Sequence, residues 1–425
     1  MLTGRQFGPL FLTQSLSAFN GNLCKTAMLF LLTFGAARSP FGRGTMVSIA
    51  AAVFVAPFFL FSGIAGQLAD SYDKARMTRI IKACEIAVMA VGAVALLLAS
   101  LPLILATLFL AGTLSAFFGP IKYAIIPQHV RPHEILPATG FVEAGTFVAI
   151  LLGQVIGGLI PVPAAMAAIL GVAVLGFAAS TRIPPAPVIA PGPRPRLSVF
   201  AETWRIVAAV ATNRPLLLAI LGISWFWGVG AVFTSQLIVM VEAELNAVPA
   251  VATLFLAMFS IGIALGSAFS SRLAKGEISP RLAPAASAAM SIATLYLVGA
   301  VHAVAAEGGP RSVTRFLADP ASWHMMPALL AVATAGGVFV VPLYALLQTL
   351  GDPARRSRDV AASNIVGAVF MVGGTAGAAG LQALGLTATD IFTVVAVLGL
   401  AVAAYALSLD SAGRVTRLFE QWRRQ

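Results

Sequence analysis

Charge is what this 425-residue chain has least of. Only 10% of its residues are Asp, Glu, Lys or Arg, against about 25% in soluble domains. So few charges cannot cover a soluble protein of this length, so most of its surface faces something other than water. A water-soluble enzyme and a disordered chain are both excluded. Cysteine is nearly absent: Cys24 and Cys84 both sit in apolar segments and read as packed thiols, with no disulfide framework. The four histidines, His129, His133, His302 and His324, offer no chemistry. None precedes an Asp at the H-x-x-x-x-D spacing of glycerolipid acyltransferases. His129 and His133 straddle Pro132 in what reads as a solvated loop, not a metal pair. No Walker lysine motif occurs, which excludes ATP-driven transport by this chain. The expectation is a protein that is not an enzyme, with no catalytic residue, metal or cofactor.

Acidic residues are the scarcer of the two signs, 16 against 27 Lys and Arg, for a net charge of +11. In a soluble protein that excess would suggest a nucleic-acid partner; here the positive-inside rule accounts for it and no nucleic acid is expected.

Apolar residues make up 59% of the chain, and the mean hydropathy is +0.92. The apolar runs are continuous rather than alternating, which argues against a membrane barrel. Runs of spanning length fall at about 9–34, 46–68, 77–99, 102–123, 137–160 and 163–180. A second series falls at about 215–241, 250–271, 282–301, 324–349, 360–383 and 389–409. The first run has no small-residue cleavage site after it and reads as a retained span rather than a signal peptide. Between the series, prolines at 184, 185, 187, 191, 193 and 195 exclude a helix; residues at about 197–212 read as a helix lying on the membrane surface. The expected division is a six-helix half over 1–181, a Pro-rich cytoplasmic linker over 182–214, a second half over 215–409 and a basic tail over 410–425.

Placing both termini and the linker in the cytoplasm puts 21 Lys and Arg on that side, Lys82 among them. The other side holds Arg38, Arg43, Arg311 and Arg315, and Lys25 and Lys122 stay within the membrane. That asymmetry fixes the orientation. The halves also look like repeats. GPIKYAIIPQ at the end of the fourth span matches VPLYALLQ at the end of the tenth, each with Pro, Tyr-Ala and Gln at nearly equal distances. ATGFVEAGTF in the next span matches AASNIVGAVF. This duplicated six-plus-six bundle of twelve transmembrane helices resembles the major facilitator superfamily over the full length, an all-α membrane fold.

Specific residues point to gating and to binding. In GQLADSYDKARMTR, Gly66 lets two helices approach closely and Asp70 favours the start of a neighbouring helix. Lys74, Arg76 and Arg79 would lock the loop. This segment is similar to the superfamily's loop signature, except that Ser71 stands where a basic residue is expected. Ionisable residues inside the membrane are costly and default to function. Lys25, Lys122 and Glu143 sum to two positive charges and one negative, so one ammonium lacks a partner and an anionic ligand completes the set. Asn20 and Asn22, flanking Gly21, suggest a local break in the first span. Gln154, Gln236 and Asn364 are candidates for the same cavity or for helix–helix hydrogen bonds, and Trp225 and Trp227 for interface aromatics or cavity wall.

Four segments are similar to the bacterial lysophospholipid transporters: FLTQSLSAFNGNLCKTAM, GPIKYAIIPQHVRPHEILPATGFVEAGTFVAILLG, SWFWGVGAVFTSQL and FVVPLYALLQTLGDPARRSRDVAASNIVGAVFMV. They most resemble the transporter portion of proteins that fuse it to a 2-acylglycerophosphoethanolamine acyltransferase and an acyl-carrier-protein synthetase. The resemblance implies movement of a lysophosphatidylethanolamine-like lipid across the bacterial inner membrane to the cytoplasmic leaflet for re-acylation. It points to Asn20, Asn22, Lys25, Lys122, Tyr123, Glu143 and Asn364, and membrane lipids and a separate acyltransferase are the implied partners. Where the family has an acidic residue between the two Asn, this chain has Gly21. Two other readings stand beside it. One is a major facilitator exporter or permease for a small amphipathic drug or organic anion; the other is a non-transporting scaffold for a lipid acyltransferase, against which the intramembrane charges argue.

Overall fold

The structure, a computed structural model, describes residues 2, 4–34, 43–189, 198–304 and 311–407. The C-terminal tail, Arg38, and Arg194 and Arg196 in the linker lie outside them, as does the side chain of Arg43. Among the described residues the chain is helical, with only an isolated bridge between Ala247 and Arg311. Two compact units emerge, one of Met1–Asn213 with Leu347–Ile365, the other of Arg214–Leu346 with Val366–Gln425.

Unit 1 contains α1 (Gly8–Phe34), α2 (Arg43–Ser71), α3 (Lys74–Leu98), α4 (Leu101–Ala124), the short α5 (Ile126–His129), α6 (Ile135–Leu159), α7 (Val162–Thr181) and α8 (Val199–Ala211). Unit 2 contains α9 (Arg214–Ala243), α10 (Pro249–Leu273), α11 (Leu282–His302), the short α12 (Val313–Ala318), α13 (Met325–Leu350), α14 (Arg356–Ala383) and α15 (Ala388–Leu407), save for the end of α13 and the first turns of α14, which belong to unit 1. Among the described residues, eleven helices are long and apolar enough to cross a membrane. The twelfth long helix, α1, has 27 residues, about 40 Å at 1.5 Å per residue, but carries Gln14, Asn20, Asn22 and Lys25. The twelve long helices fall within a few residues of the runs read from the sequence.

Helices have no hydrophobic drive to associate in lipid, so close packing must come from small residues. The same helix pairs use it in both units. A Cβ built on Gly112 of α4 would lie 2.2 Å from the Phe54 carbonyl oxygen of α2, and one on Gly266 of α10 would lie 2.0 Å from that of Thr334 in α13. Gly153 and Gly157 bring α6 against α1 at Phe19 and Leu23, as Gly228 of α9 meets Phe370 of α14. The same helix pairs are packed by glycine in each unit, with the glycine on opposite partners.

Besides Cys84, which is exposed rather than packed, three expectations need correcting. First, α1 runs unbroken through Asn20, Gly21 and Asn22. The Asn22 amide donates to the Ala18 carbonyl one turn back at 2.8 Å, and Asn20 donates to Glu85 at 3.0 Å, so neither side chain competes for the helical N–H groups. Second, Lys82 is not solvated with the loop lysines and arginines; it is 1% exposed inside the unit. Third, His129 is buried, its ring nitrogens 3.1 and 3.0 Å from the carbonyls of Ile125 and Pro184. The start of the linker explains this. Residues 183–187 lie along the end of unit 1, where Lys74 N donates to Ala186 O, Ala186 N to the Asp73 carboxylate, Arg79 to Ile183 O and Gln128 to Pro187 O.

The later linker forms α8, as expected. Its Glu202, Ile206 and Val210 face inward, while Phe200 and Trp204 are 79% and 76% exposed. Gln67 of α2 donates to Glu202 at 2.9 Å and Thr203 packs on Gly63, so α8 is strapped along α2 with its aromatic face outward.

The Gly112 contact is with backbone, which cannot rotate away. Gly112→Ala should lose about 1–3 kcal/mol to overpacking, read as a lower midpoint of thermal unfolding in detergent, whereas Gly171→Ala, with open space around its Cβ, should not lower it.

Candidate functional site

Unit 1 contains a cavity of about 180 Å³, lined from α1 by Gln14, Gly21, Asn22 and Lys25, and from α4 by Gly119 and Lys122 among others. Phe54 and Phe118 supply apolar wall. Gly21 belongs here because it has no side chain: nothing lies within 4 Å of a Cβ built on it. A neighbouring recess shares Ser17, Gly21, Ser115 and Phe118 with the cavity and reaches Lys82 and Glu85 of α3.

Three lysines gather around this space, each with a different partner. Lys122 donates to Thr146 Oγ1 at 2.9 Å and lies 3.6 Å from Glu143 Oε1. Glu143, wholly buried on α6, also accepts from the Tyr123 hydroxyl through Oε1. The Lys122 carbonyl accepts from Gln14 Nε2 at 2.9 Å, tying α1 to α4 where Pro120 interrupts the helical ladder. Lys82 donates to Glu85 Oε2 and to Ser17 Oγ, and Asn20 Nδ2 holds Oε1 of the same carboxylate. Lys25 Nζ lies 5.4 Å from the centre of the Phe54 ring and has no carboxylate within 4.0 Å among the described residues. A cation over an aromatic face gains about 0.5–2 kcal/mol, and Lys25 is half-buried, facing the cavity.

The structure thus brings together Asn22, Lys25, Lys122, Tyr123 and Glu143 of the residues singled out from the sequence. Asn20 is close by but engaged with Glu85. Asn364, at the unit 1 end of α14, presses its amide against Gly119, and its Nδ2 is buried without a hydrogen-bond partner. Gln236 is elsewhere: in unit 2 it accepts from Gln382 at 2.9 Å, a helix–helix bond between α9 and α14. Gln154 does not line the cavity. Trp227 donates to Tyr344 at 2.8 Å within unit 2.

The loop residues form a separate cluster. Asp70, 6% exposed, accepts from the backbone N–H of Ser357 at 2.9 Å and of Arg358 at 3.2 Å, and Arg358 Nε lies 3.5 Å from it. It therefore caps the first turn of α14 and meets its positive dipole end. Gly66 makes this approach possible, because a Cβ there would lie 2.8 Å from that of Ala361. Lys74 is buried beside them; Arg76 is exposed and contributes its backbone N–H to Asp73, not its charge.

Sequence reading missed Lys82, Glu85, Ser17 and Thr146. The signal for the first two was present. Glu85 stands well inside the third apolar run, where an acid defaults to function, and Lys82 precedes it by one helical turn; grouping Lys82 with the loop cations hid the pair.

Two families of helices packed by glycine, with ionisable groups gathered around an internal cavity in the first, define a membrane transporter. Residues 10–377 match the Major Facilitator Superfamily. The chain is 30% identical over 365 residues to the lysophospholipid transporter LplT of Salmonella typhi, covering 84% of this chain and 82% of that one, and equally to its counterpart in Salmonella paratyphi B. It belongs to the Major Facilitator Superfamily, in the family of these LplT proteins. Among solved structures, the human organic anion transporter MFSD10 matches with a TM-score of 0.72 at 17% identity, covering 95% of this chain and 99% of that one. The transporter FucP in its outward conformation matches at 0.69 and 13%, covering 95% and 98%; at these identities the likeness is one of fold.

Breaking the buried pair by Lys82→Met or by Glu85→Gln alone should each destabilise the protein by about 3–5 kcal/mol, because each strands a buried charge or its partner. The double variant should recover most of that loss; denaturation midpoints of all three in detergent close the cycle.

Proposed function

We propose that this protein is a secondary transporter of lysophospholipid in the bacterial inner membrane, moving it toward the cytoplasmic leaflet for re-acylation by a separate acyltransferase. The observation that carries the reading is Lys25, a lysine inside a membrane-spanning helix, facing a cavity and lacking a carboxylate partner. A phosphate diester supplies the missing negative charge. Lys122 lies across the same cavity and, with Thr146 and Glu143 fixing its ammonium, presents a second cation in a set direction. Asn22 and Asn364 serve as neutral donors, and Asn20 holds Glu85 in place. Phe54 and Phe118 give the glycerol and first methylenes an apolar wall.

Transport follows by alternating access, with Asp70 latching the outward-facing state through its cap on α14. Positive charge concentrated on the loops between even and odd spans supports cytoplasmic termini. In unit 2, Gly373, Gly377 and Gly380 have open space where a side chain would stand, which supports a route along which the acyl tail stays in lipid while the headgroup crosses.

Lys25→Ala is the cleaner test of the headgroup site, because it strands no carboxylate, whereas Lys122→Ala leaves Glu143 unpaired. A charged hydrogen bond of about 1.5–3 kcal/mol corresponds to roughly 10–100-fold. Uptake of labelled lysophospholipid by spheroplasts should fall by that factor at unchanged membrane abundance, and uptake of a cationic dye should not be gained. Unchanged lysolipid uptake would remove the site. Asp70→Ala acts differently: the maximal rate should fall several-fold with little change in KM, since the latch touches no substrate.

A further inference from the structure

Charge counting around the cavity sets which headgroup it takes. Five ionisable side chains lie inside the spans of unit 1: Lys25, Lys82, Lys122, Glu85 and Glu143. The spans of unit 2 carry Asp, Glu, Lys or Arg only at their ends, as Arg214, Glu242, Arg272 and Asp390 do. The sum of the five is a single positive charge. The two carboxylates are also spoken for. Glu85 gives one oxygen to Asn20 and the other to Lys82. Glu143 gives one to Tyr123 and Lys122; its other oxygen has no hydrogen-bond partner, but the side chain is 0% exposed and does not line the cavity or the recess. No unpartnered carboxylate oxygen lines the cavity or the recess to meet an incoming ammonium. Yet a neutral polar group would be met, because the carbonyl oxygen of Gln14, in a side chain only 2% exposed and lining the cavity, has no hydrogen-bond donor.

We infer that, among lysophospholipids, the cavity selects a headgroup of net charge −1, a phosphodiester ending in hydroxyl groups, over a zwitterion that ends in an ammonium, and that Gly21 is the position that sets this choice. The inference rests on the lysophospholipid reading of the same site. A hydroxyl terminus donates to Gln14 and leaves the phosphate to cancel the surplus positive charge. An ammonium terminus enters a space whose two carboxylates already serve Lys82 and Lys122 and whose charges sum to +1, and pays both desolvation and like-charge repulsion. Discrimination by a group left unpaired is the strong kind. Gly21 lines both the cavity and the recess toward Glu85, and the space around it is open. A carboxylate added there needs no repacking, brings the sum to zero and offers the ammonium a partner.

The full chain, reconstituted in phosphatidylcholine vesicles, is given lysophosphatidylglycerol and lysophosphatidylethanolamine of the same acyl chain. The wild type should favour the glycerol headgroup by at least about tenfold in kcat/KM. Gly21→Asp should move the ratio toward ethanolamine by at least about tenfold, while Gly21→Asn, equal in size and uncharged, should keep the wild-type ratio. Equal handling of the two lipids by the wild type, or the same shift for Asp and Asn, overturns the inference. If neither lipid is moved, the transport reading fails, and the selectivity is read separately from the thermal stabilisation of detergent-solubilised protein by glycerophosphoglycerol and glycerophosphoethanolamine. Greater stabilisation by the former supports the selectivity; equal stabilisation, or none by either, overturns it.

Discussion

An ammonium group taken into hydrocarbon must find a negative partner or a dipole, and much of unit 1 is arranged around that requirement. Moving such an ion from water to a medium of low dielectric costs several kcal/mol even after relaxation. Unit 1 does this three times. Lys82 and Lys122 are each matched with a glutamate; Lys25 is matched with an aromatic face and a cavity. The first two are solved within the protein. The third is left open to the cavity, and the proposed anion is what would complete it.

The two closed pairs also determine where helices stand. Lys82 and Glu85 lie one turn apart on α3, and Asn20 and Ser17 reach them from α1. Lys122 on α4 is met by Thr146 and Glu143 on α6, and its carbonyl is held by Gln14 of α1. Polar contacts thus tie α1 to α3 on one flank of the cavity and to α4 on the other. In a bilayer, where apolar side chains gain nothing by leaving lipid for a neighbouring helix, such bonds and glycine contacts do the work that burial does in water. The cost of keeping charge in the membrane is in this way converted into the geometry of the cavity wall. It also explains how α1 tolerates two Asn, a Gly and a Lys near its middle without breaking: each polar side chain has a use that leaves the helical backbone intact.

The helical architecture was legible because continuous apolar runs of about 20 residues have few alternatives, and the repeat because Pro, Tyr-Ala and Gln recur at nearly equal distances at the ends of the fourth and tenth spans. Asp70 was legible as a helix cap from its place one turn after Gly66, though both lie in the last turns of α2 rather than in a loop, and the helix it caps, α14, lies some 290 positions away and could not be read from spacing. Charges at the margins of spans were the weak point. A lysine eight residues into α3 reads equally as a snorkelling loop cation or a buried one, and only the three-dimensional presence of Glu85, Asn20 and Ser17 decides. His129 failed in the same way, since the carbonyl that holds it belongs to Pro184 of the linker, a contact that local pattern does not carry. Arg76 erred in the other direction: its charge suggested a lock, but its side chain is exposed and Asp73 takes only its backbone N–H.

The latch and the cavity meet on one helix. Ser357 and Arg358, whose N–H groups Asp70 accepts, begin α14, and Asn364 presses on Gly119 in the cavity wall about two turns further along. Asn364 Nδ2 lacks a partner where it stands, and a buried amide hydrogen without an acceptor costs about 1–3 kcal/mol. An anion in the cavity relieves that cost only if α14 holds the amide near enough to donate. The position of the amide depends on the register of the first turn, and that register is held by the cap. On the proposed reading, anion binding at Lys25 and Lys122 and retention of the cap at Asp70 are linked through this one helix.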